Sequence, residues 1–255
     1  MPDLLKDKNV LVMGVANRWS LAYAIAKAMV REGAKLTLTY QGERQKETVE
    51  ELAAGLNQAT VLPCDVGQDA QVAALFATLA ERGVTLDAVM HSIAFANRED
   101  LEQPFENTSR SGFALAMDVS AYSLVTVAHH ARAVMPRGGA ILTLTYLGSS
   151  RVVTNYNVMG VAKAALEASM RYLASELGPY GLRVNAISAG PVKTASARAI
   201  KDFSSILEHV ADKAPLRRVT DPAEVGDAAV LLASDLGRGI TGDVIFVDSG
   251  YHVLG

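Results

Sequence analysis

Seven short apolar runs punctuate the chain, and between them apolar residues recur every three or four positions. Runs of the first kind suit buried strands, whereas the second spacing lays an apolar stripe along a helix. The strands expected are Asn9–Gly14, Lys35–Thr39, Ala59–Leu62, Leu86–Ser92, Ala140–Thr145, Arg183–Ser188 and Val244–Asp248. The helices between them are Ser20–Glu32, Glu43–Gly55, Gln68–Arg82, Arg110–Met135, Tyr156–Gly178 and Pro222–Ser234. Gly33 marks a helix-to-strand turn, and Pro136 with Gly138 and Gly139 closes the longest helix. Regular βα alternation predicts an α/β fold, a doubly wound parallel sheet with helices on both faces and right-handed crossovers. No linker-like stretch, low-complexity segment or repeat interrupts it, so residues 1–255 read as a single Rossmann-like domain.

Two segments break the alternation. Residues 93–108 follow the fourth strand and 189–213 the sixth, at the carboxyl ends where open α/β sheets bind ligands. The second is too long for a plain turn. Its pieces 195–200 and 203–210 have the pattern of short helices, and 194–213 is read as a small substrate-binding lid.

Half of the 255 residues are hydrophobic and 20% are charged, enough for a large core and inconsistent with disorder. The net charge of −3, without a basic run, argues against a nucleic-acid partner. Apolar stretches are broken by charges short of membrane-spanning length, and the first residues lack a signal-peptide pattern. The lone cysteine, Cys64, forbids an internal disulfide and suits a reducing compartment. These features predict a soluble cytoplasmic protein. His129 and His130 are adjacent and so point to different helix faces, and no His-Glu-x-x-His spacing occurs, so no metal site is expected.

Candidate chemistry begins at Tyr156. Lys163 follows seven residues later, about two helical turns or roughly 10 Å of rise, so both side chains leave one face. Helical side chains lean toward the N-terminus, which lets Lys163 reach back toward Tyr156 with room for a sugar-sized group between them. A phenol that can donate a proton beside a cation that can hold a ribose suits nicotinamide-dependent reduction. Lys163 is the only basic residue between Arg151 and Arg171 and stands among small apolar neighbours. A helical tyrosine is otherwise a packing residue, and a lysine is otherwise solvated.

The nucleotide would lie at the end of the first strand. Gly14-Val-Ala-Asn-Arg-Trp-Ser20 keeps one glycine and lacks the Gly-x-Gly-x-x-Gly fingerprint. Ser20 can cap the next helix and offer its hydroxyl and N–H to a pyrophosphate at the positive helix end. Gln41 is neutral, with no cation at 40–42, which favours a ribose 2′-hydroxyl and NADH; Arg44 and Lys46 keep NADPH open. Asp65, leaving the third strand, could accept from an adenine amino group or simply form a turn.

Several blocks carry a resemblance. They are Gly-Val-Ala-Asn-x-x-Ser at 14–20, Thr-Tyr-Gln at 39–41, Cys-Asp-Val at 64–66 and His-Ser-Ile-Ala-Phe-Ala at 91–96. Leu-Thr-Tyr-Leu-Gly at 144–148, Asn-Tyr-Asn-Val-Met-Gly-Val-Ala-Lys at 155–163 and Val-Asn-Ala-Ile-Ser-Ala-Gly-Pro at 184–191 continue them. The chain resembles the short-chain dehydrogenase/reductase superfamily and, within it, the divergent bacterial enoyl-acyl carrier protein reductases. The resemblance implies NADH-dependent reduction of the trans-2 double bond of an enoyl thioester, the last reductive step of fatty acid elongation. It also implies acyl carrier protein as the substrate's carrier and a homotetramer. Tyr156 and Lys163 become the catalytic pair, with Tyr146 as a second active-site tyrosine that orients the thioester or walls the pocket. The implied cofactor lining is Gly14, Ser20, Leu21, Gln41, Asp65, Val66, Ile93, Lys163, Val192, Lys193 and Thr194, and Ala96 borders the substrate.

The chain departs from the family pattern in Gly-Ser-Ser-Arg at 148–151 and in Thr154, where proline is common. Asp248-Ser-Gly replaces Asp-Gly-Gly, and the lid sequence after Thr194 is altered, which bears on acyl preference. A short-chain carbonyl (3-ketoacyl) reductase would carry its tyrosine four residues before the lysine. That position is Met159, which has no proton to give, although Ser149 and Ser150 lie upstream. A non-catalytic NAD(P)-binding sensor would be expected to lose Tyr156 or Lys163, and both are present.

Overall fold

The computed structural model describes residues 3–192 and 203–254. Its strands are β1 (Asn9–Met13), β2 (Lys35–Tyr40), β3 (Thr60–Pro63), β4 (Ala88–His91), β5 (Gly139–Thr145), β6 (Leu182–Ala189) and β7 (Val244–Val247). They form one sheet in the order β3-β2-β1-β4-β5-β6-β7, and every pairing is parallel. The order reverses between β1 and β4, which opens a crevice above their carboxyl ends.

The helices are α1 (Leu21–Arg31), α2 (Glu43–Ala54), α3 (Asp69–Glu81), α4 (Arg98–Glu102) and α5 (Arg110–Met117). They continue with α6 (Ser123–Ala131), α7 (Asn157–Leu177), α8 (Phe203–Lys213) and α9 (Pro222–Ala233). Side-chain alternation along β1 explains the two layers. Val10 and Val12 join Ile25 and Met29 of α1 and Val225 and Val230 of α9 on one face. Leu11 and Met13 meet Leu75 and Phe76 of α3, Leu124 of α6 and Leu166 of α7 on the other. Burial on both faces is why the strands read as apolar runs rather than alternating ones.

The helix expected over Arg110–Met135 is divided. Between α5 and α6 lies a widened π turn, Asp118–Tyr122, and a 3-10 turn, Arg132–Val134, follows α6. Ser120 ties the widened turn to the segment after β4: its hydroxyl accepts from the Phe95 N–H and donates to the Phe95 carbonyl, each at 2.9 Å. Ser123 donates back to the Val119 carbonyl at 2.7 Å. Hydroxyls that compete for main-chain groups bend helices, and π turns collect at functional sites. The run Arg110–Val134 does have the length and hydropathy of a membrane span, contrary to the expectation that charges interrupt every such stretch; half of its most apolar window is buried in the fold.

Of the expected lid, 194–202 lie outside the described residues, and the remainder is α8, which continues to Lys213. The segment 93–108 contains α4 and a 3-10 turn at Phe105–Asn107. Other boundaries move by one or two residues, the usual fraying of element ends.

Candidate active site

A cleft of about 550 Å³ opens at the carboxyl ends of β1 to β4. Gly14, Ser20, Leu21, Gln41, Asp65, Val66, Ile93 and Lys163 all stand in its wall, as expected of a cofactor lining. Gly14 has φ +91°, and a Cβ there would lie 2.0 Å from the Ser92 carbonyl oxygen. Only glycine lets β1 and β4 close in this way. Ser20 caps α1, accepting from the Tyr23 N–H at 3.2 Å. Its own hydroxyl and N–H both donate to the Asn17 carbonyl, at 2.8 and 3.1 Å. They shape the turn, and the first N–H groups of α1, at Leu21 and Ala22, are the donors without an intrahelical partner.

Gln41 is exposed at the rim with Gln45 beside it, whereas Lys46 pairs with Glu43 at 3.9 Å and Arg44 is absent from the wall. Asp65 serves both of its expected readings: it lines the cleft while its Oδ1 accepts from the Gly67 N–H at 3.0 Å. Burial, reinforced by Asp65, pushes the Cys64 thiol up to about 12, so this wall residue is unreactive at neutral pH. A cleft of this size with a glycine cradle and a helix N-terminus fits an extended dinucleotide.

Lys163 closes the far end. It is buried on α7, and its Nζ donates to the Leu144 carbonyl of β5 at 2.7 Å. Burial lowers its ammonium to about 8, opposed by the carboxylate of Glu167 one turn on. The Thr145 hydroxyl holds that carboxylate at 2.6 Å. Beneath the cleft, His91 lies between Thr143 Oγ1 at 3.1 Å and Ser123 Oγ at 2.8 Å. Ser123 already donates to Val119, so His91 donates through Nε2 and accepts at Nδ1. Desolvation, and secondarily the Lys163 cation, push His91 down to about 3, so it is a neutral strut that ties β4 and β5 to the start of α6.

The two tyrosines lie beside the cleft rather than in its wall. Tyr146 follows β5 and Tyr156 immediately precedes α7; their rings meet edge to face, 5.0 Å between centroids at 71°. Two glycines make room. A Cβ on Gly148 would meet Tyr156 Cδ1 at 2.5 Å, and one on Gly160 would meet the Gly148 carbonyl oxygen at 2.7 Å. Tyr156 and Ala96 both pack against Leu101, Ala116, Val158 and Met159, so the residue expected at the substrate shares an apolar cluster with the candidate acid. Burial raises the Tyr156 phenol well above its ordinary value, with Tyr146 adding to the shift. Burial first, then Tyr251 and Asp248, raise Tyr146 to about 12. Both phenols keep their protons at neutral pH and can donate them. Val192 is buried outside the cleft wall, and Lys193 and Thr194 lie outside the described residues.

Residues 14–252 match the family described as enoyl-(acyl carrier protein) reductase. The chain belongs to that family. It is 56% identical to the NADH enoyl-acyl carrier protein reductase of Bacillus cereus, over 99% of this chain and all of that one. It is 49% identical to the NADPH enzyme of Staphylococcus aureus, over 98% of each. A crystal structure of the Bacillus cereus reductase, described with NADP+ and an indole naphthyridinone, superposes with a TM-score of 0.98 over both whole chains.

Within this enoyl reductase scaffold, several participants escaped the sequence reading. Glu167 was marked only by its i+4 spacing from Lys163. Gly148 and Gly160 stand within motif blocks, but nothing local shows that one faces the Tyr156 ring and the other the Gly148 carbonyl. The π turn that puts Asp118 and Val119 into the cleft depends on a contact with Phe95, which no periodicity reveals.

Proposed function

We propose that this enoyl reductase carries out its reaction with Tyr156 as the donor to the substrate oxygen, Lys163 as the ribose anchor and Tyr146 as the wall that orients the thioester. The observation that carries this reading is the position of Lys163: it ends the cofactor cleft on the same helix whose entrance holds the protonated phenol of Tyr156. A bound nicotinamide dinucleotide supplies the hydride for the β-carbon of a trans-2-enoyl thioester. Charge then gathers on the thioester oxygen, and a fixed donor aimed at it is worth roughly 3–4 kcal/mol. Tyr156 is that donor. Lys163, steered by Glu167 and the Leu144 carbonyl, holds the ribose hydroxyls and so orients the nicotinamide, an effect of positioning rather than proton transfer. Gly14, Leu21, Gln41, Asp65, Val66 and Ile93 hold the rest of the dinucleotide along the cleft.

A carbonyl reductase is disfavoured by Met159, which is buried with its Sδ 3.8 Å from the Ser120 hydroxyl and offers no proton. Gln41, with neither Arg44 nor Lys46 in the described wall, favours NADH over NADPH, although relatives of both kinds exist. The chain acts as one catalytic domain on substrate carried by acyl carrier protein, with α8 part of the lid over the acyl chain, in the cytoplasm. Exposed Phe113, Tyr122 and Tyr172, and the edge strand β7 that carries Phe246, support a two-fold-symmetric tetramer.

Turnover of crotonyl thioester by wild type, Tyr156→Phe, Lys163→Ala and Tyr146→Phe tests the assignment, with cofactor affinity read from the single tryptophan, Trp19, next to the Ser20 cap. Tyr156→Phe lowers turnover more than cofactor affinity, and Lys163→Ala weakens both. Intact turnover in Tyr156→Phe, with loss in Tyr146→Phe, would exchange the two tyrosines. A higher kcat/KM with NADPH than with NADH would overturn the cofactor preference.

A further inference from the structure

Tyr156 stands between two residues in left-handed backbone conformation, Asn155 at φ +64° and Asn157 at φ +37°. Asparagine adopts this region more readily than other side chains. The turn they make brings the chain onto α7: the Tyr156 N–H donates to the Val153 carbonyl at 3.1 Å, and the Tyr156 carbonyl accepts from the Met159 N–H at 3.0 Å. The side chain of Asn157 then leaves its own helix. Its Nδ2 donates to the carbonyls of Leu101, at 3.1 Å, and Gln103, at 2.7 Å. Both acceptors lie at the C-terminal end of α4, where a helix has carbonyls without intrahelical partners. The amide has two N–H donors, and this pair of bonds uses both.

The segment it grips is anchored at its other end as well. Asp100 is buried and accepts from the Ser109 N–H at 3.1 Å and Asn97 Nδ2 at 3.3 Å. Gly112 of α5 fits so closely that a Cβ would sit 1.8 Å from Asp100 Oδ2. Leu101 on this segment and Ala96 just before it pack in the cluster that holds Tyr156. One amide therefore links the turn that aims the phenol to the segment that borders the substrate.

We propose that Asn157 is a positioning residue for the reduction, holding Tyr156 in register with the α4 segment through its left-handed backbone and its two amide donors. The proposal rests on the reading of Tyr156 as the donor to the thioester oxygen. It makes Asn157 act on turnover while the cofactor cleft, which Asn157 does not line, is left alone.

Two variants separate its backbone from its amide. Asn157→Gly keeps the left-handed freedom and deletes both donors, whereas Asn157→Asp keeps the shape and turns an acceptor toward two carbonyls. The experiment measures kcat and KM on crotonyl thioester, NADH affinity by Trp19 fluorescence and thermal midpoint, for both variants alone and for Asn157→Gly combined with Tyr156→Phe. Both single variants should lose about 10- to 100-fold in kcat, as expected for a misplaced reacting group, with NADH affinity within about twofold of wild type. In the Tyr156→Phe background, Asn157→Gly should cost little more, because the group it positions is already gone. A further loss equal to that of the single variant, or wild-type kcat in Asn157→Gly beside an impaired Tyr156→Phe, overturns the positioning role alone. Wild-type kcat in Tyr156→Phe itself removes the underlying reading and the proposal with it.

Discussion

Main-chain geometry builds the cofactor cleft, whereas ring packing builds the pocket of the two tyrosines. In the cleft, strand ends close on Gly14, the Ser20 cap orders the first βα turn, and Asp65 forms its own turn, so each group is held within a few residues of a strand. The tyrosines have no such local support. Tyr146 and Tyr156 come from different elements, and their relative placement depends on two glycines, an edge-to-face ring contact and the apolar cluster under Ala96. Lys163 is the member common to both, since it walls the cleft and sits on the helix that Tyr156 begins. Under the proposed function, the first region would hold the dinucleotide on main-chain groups and the second would meet the acyl thioester with packed side chains.

The sharpest way to break this contrast is Gly14→Ala. With φ +91° and main chain 2.0 Å from the new Cβ, no side chain can move to relieve it. We expect a loss of ~3 kcal/mol in stability and of measurable NADH binding, checked by urea unfolding and Trp19 titration. Binding retained at wild-type strength would mean that the cleft does not depend on main-chain closure.

Gly148→Ala is the counterpart on the other side. Its Cβ meets the Tyr156 ring, not main chain, at 2.5 Å, so the ring should shift while the cleft stays formed. Turnover should fall about 100-fold, as misplacement near the reacting atoms commonly costs, and NADH affinity should hold. Equal losses of binding and turnover would show the two regions to be one cooperative unit.

Lys163, at their junction, gives a pH signature. Its folded value near 8 lies below the ordinary 10.5, so between these limits the unfolded chain binds more protons and stability of the free protein rises with pH. Below about pH 8 the burial cost of the ammonium is present in full. The stability deficit of wild type relative to Lys163→Met should therefore shrink as urea unfolding is repeated from neutral pH up through that window. A difference independent of pH would remove the buried ammonium from the account.

The smallest effect belongs outside both regions. Ser249, where glycine is common in the family, has φ +58°, and its buried hydroxyl has no hydrogen-bond partner among the described residues. Ser249→Gly should add about 1 kcal/mol of stability by relieving both costs, less the greater freedom of an unfolded glycine. Its thermal midpoint should rise while NADH affinity and turnover stay as they are. A fall in midpoint would assign the hydroxyl a partner.

The sequence by itself determined the βα alternation, the parallel sheet, the cap at Ser20, the lone glycine turn and the placing of Tyr156 at the entrance of the helix that carries Lys163. These follow from side-chain periodicity, capping chemistry and residue spacing, all written within a few positions of one another. It also carried the family, because the motif blocks are contiguous. Only the tertiary structure decided which groups meet across elements. Ser120 of the π turn finds Phe95, twenty-five residues away; Lys163 bonds to Leu144 because α7 packs on β5; and His91 is neutral because it is fully buried near the Lys163 cation. Gly148 is necessary only once the Tyr156 ring lies over it. Such contacts depend on distances between elements, which local pattern leaves open until the core has packed.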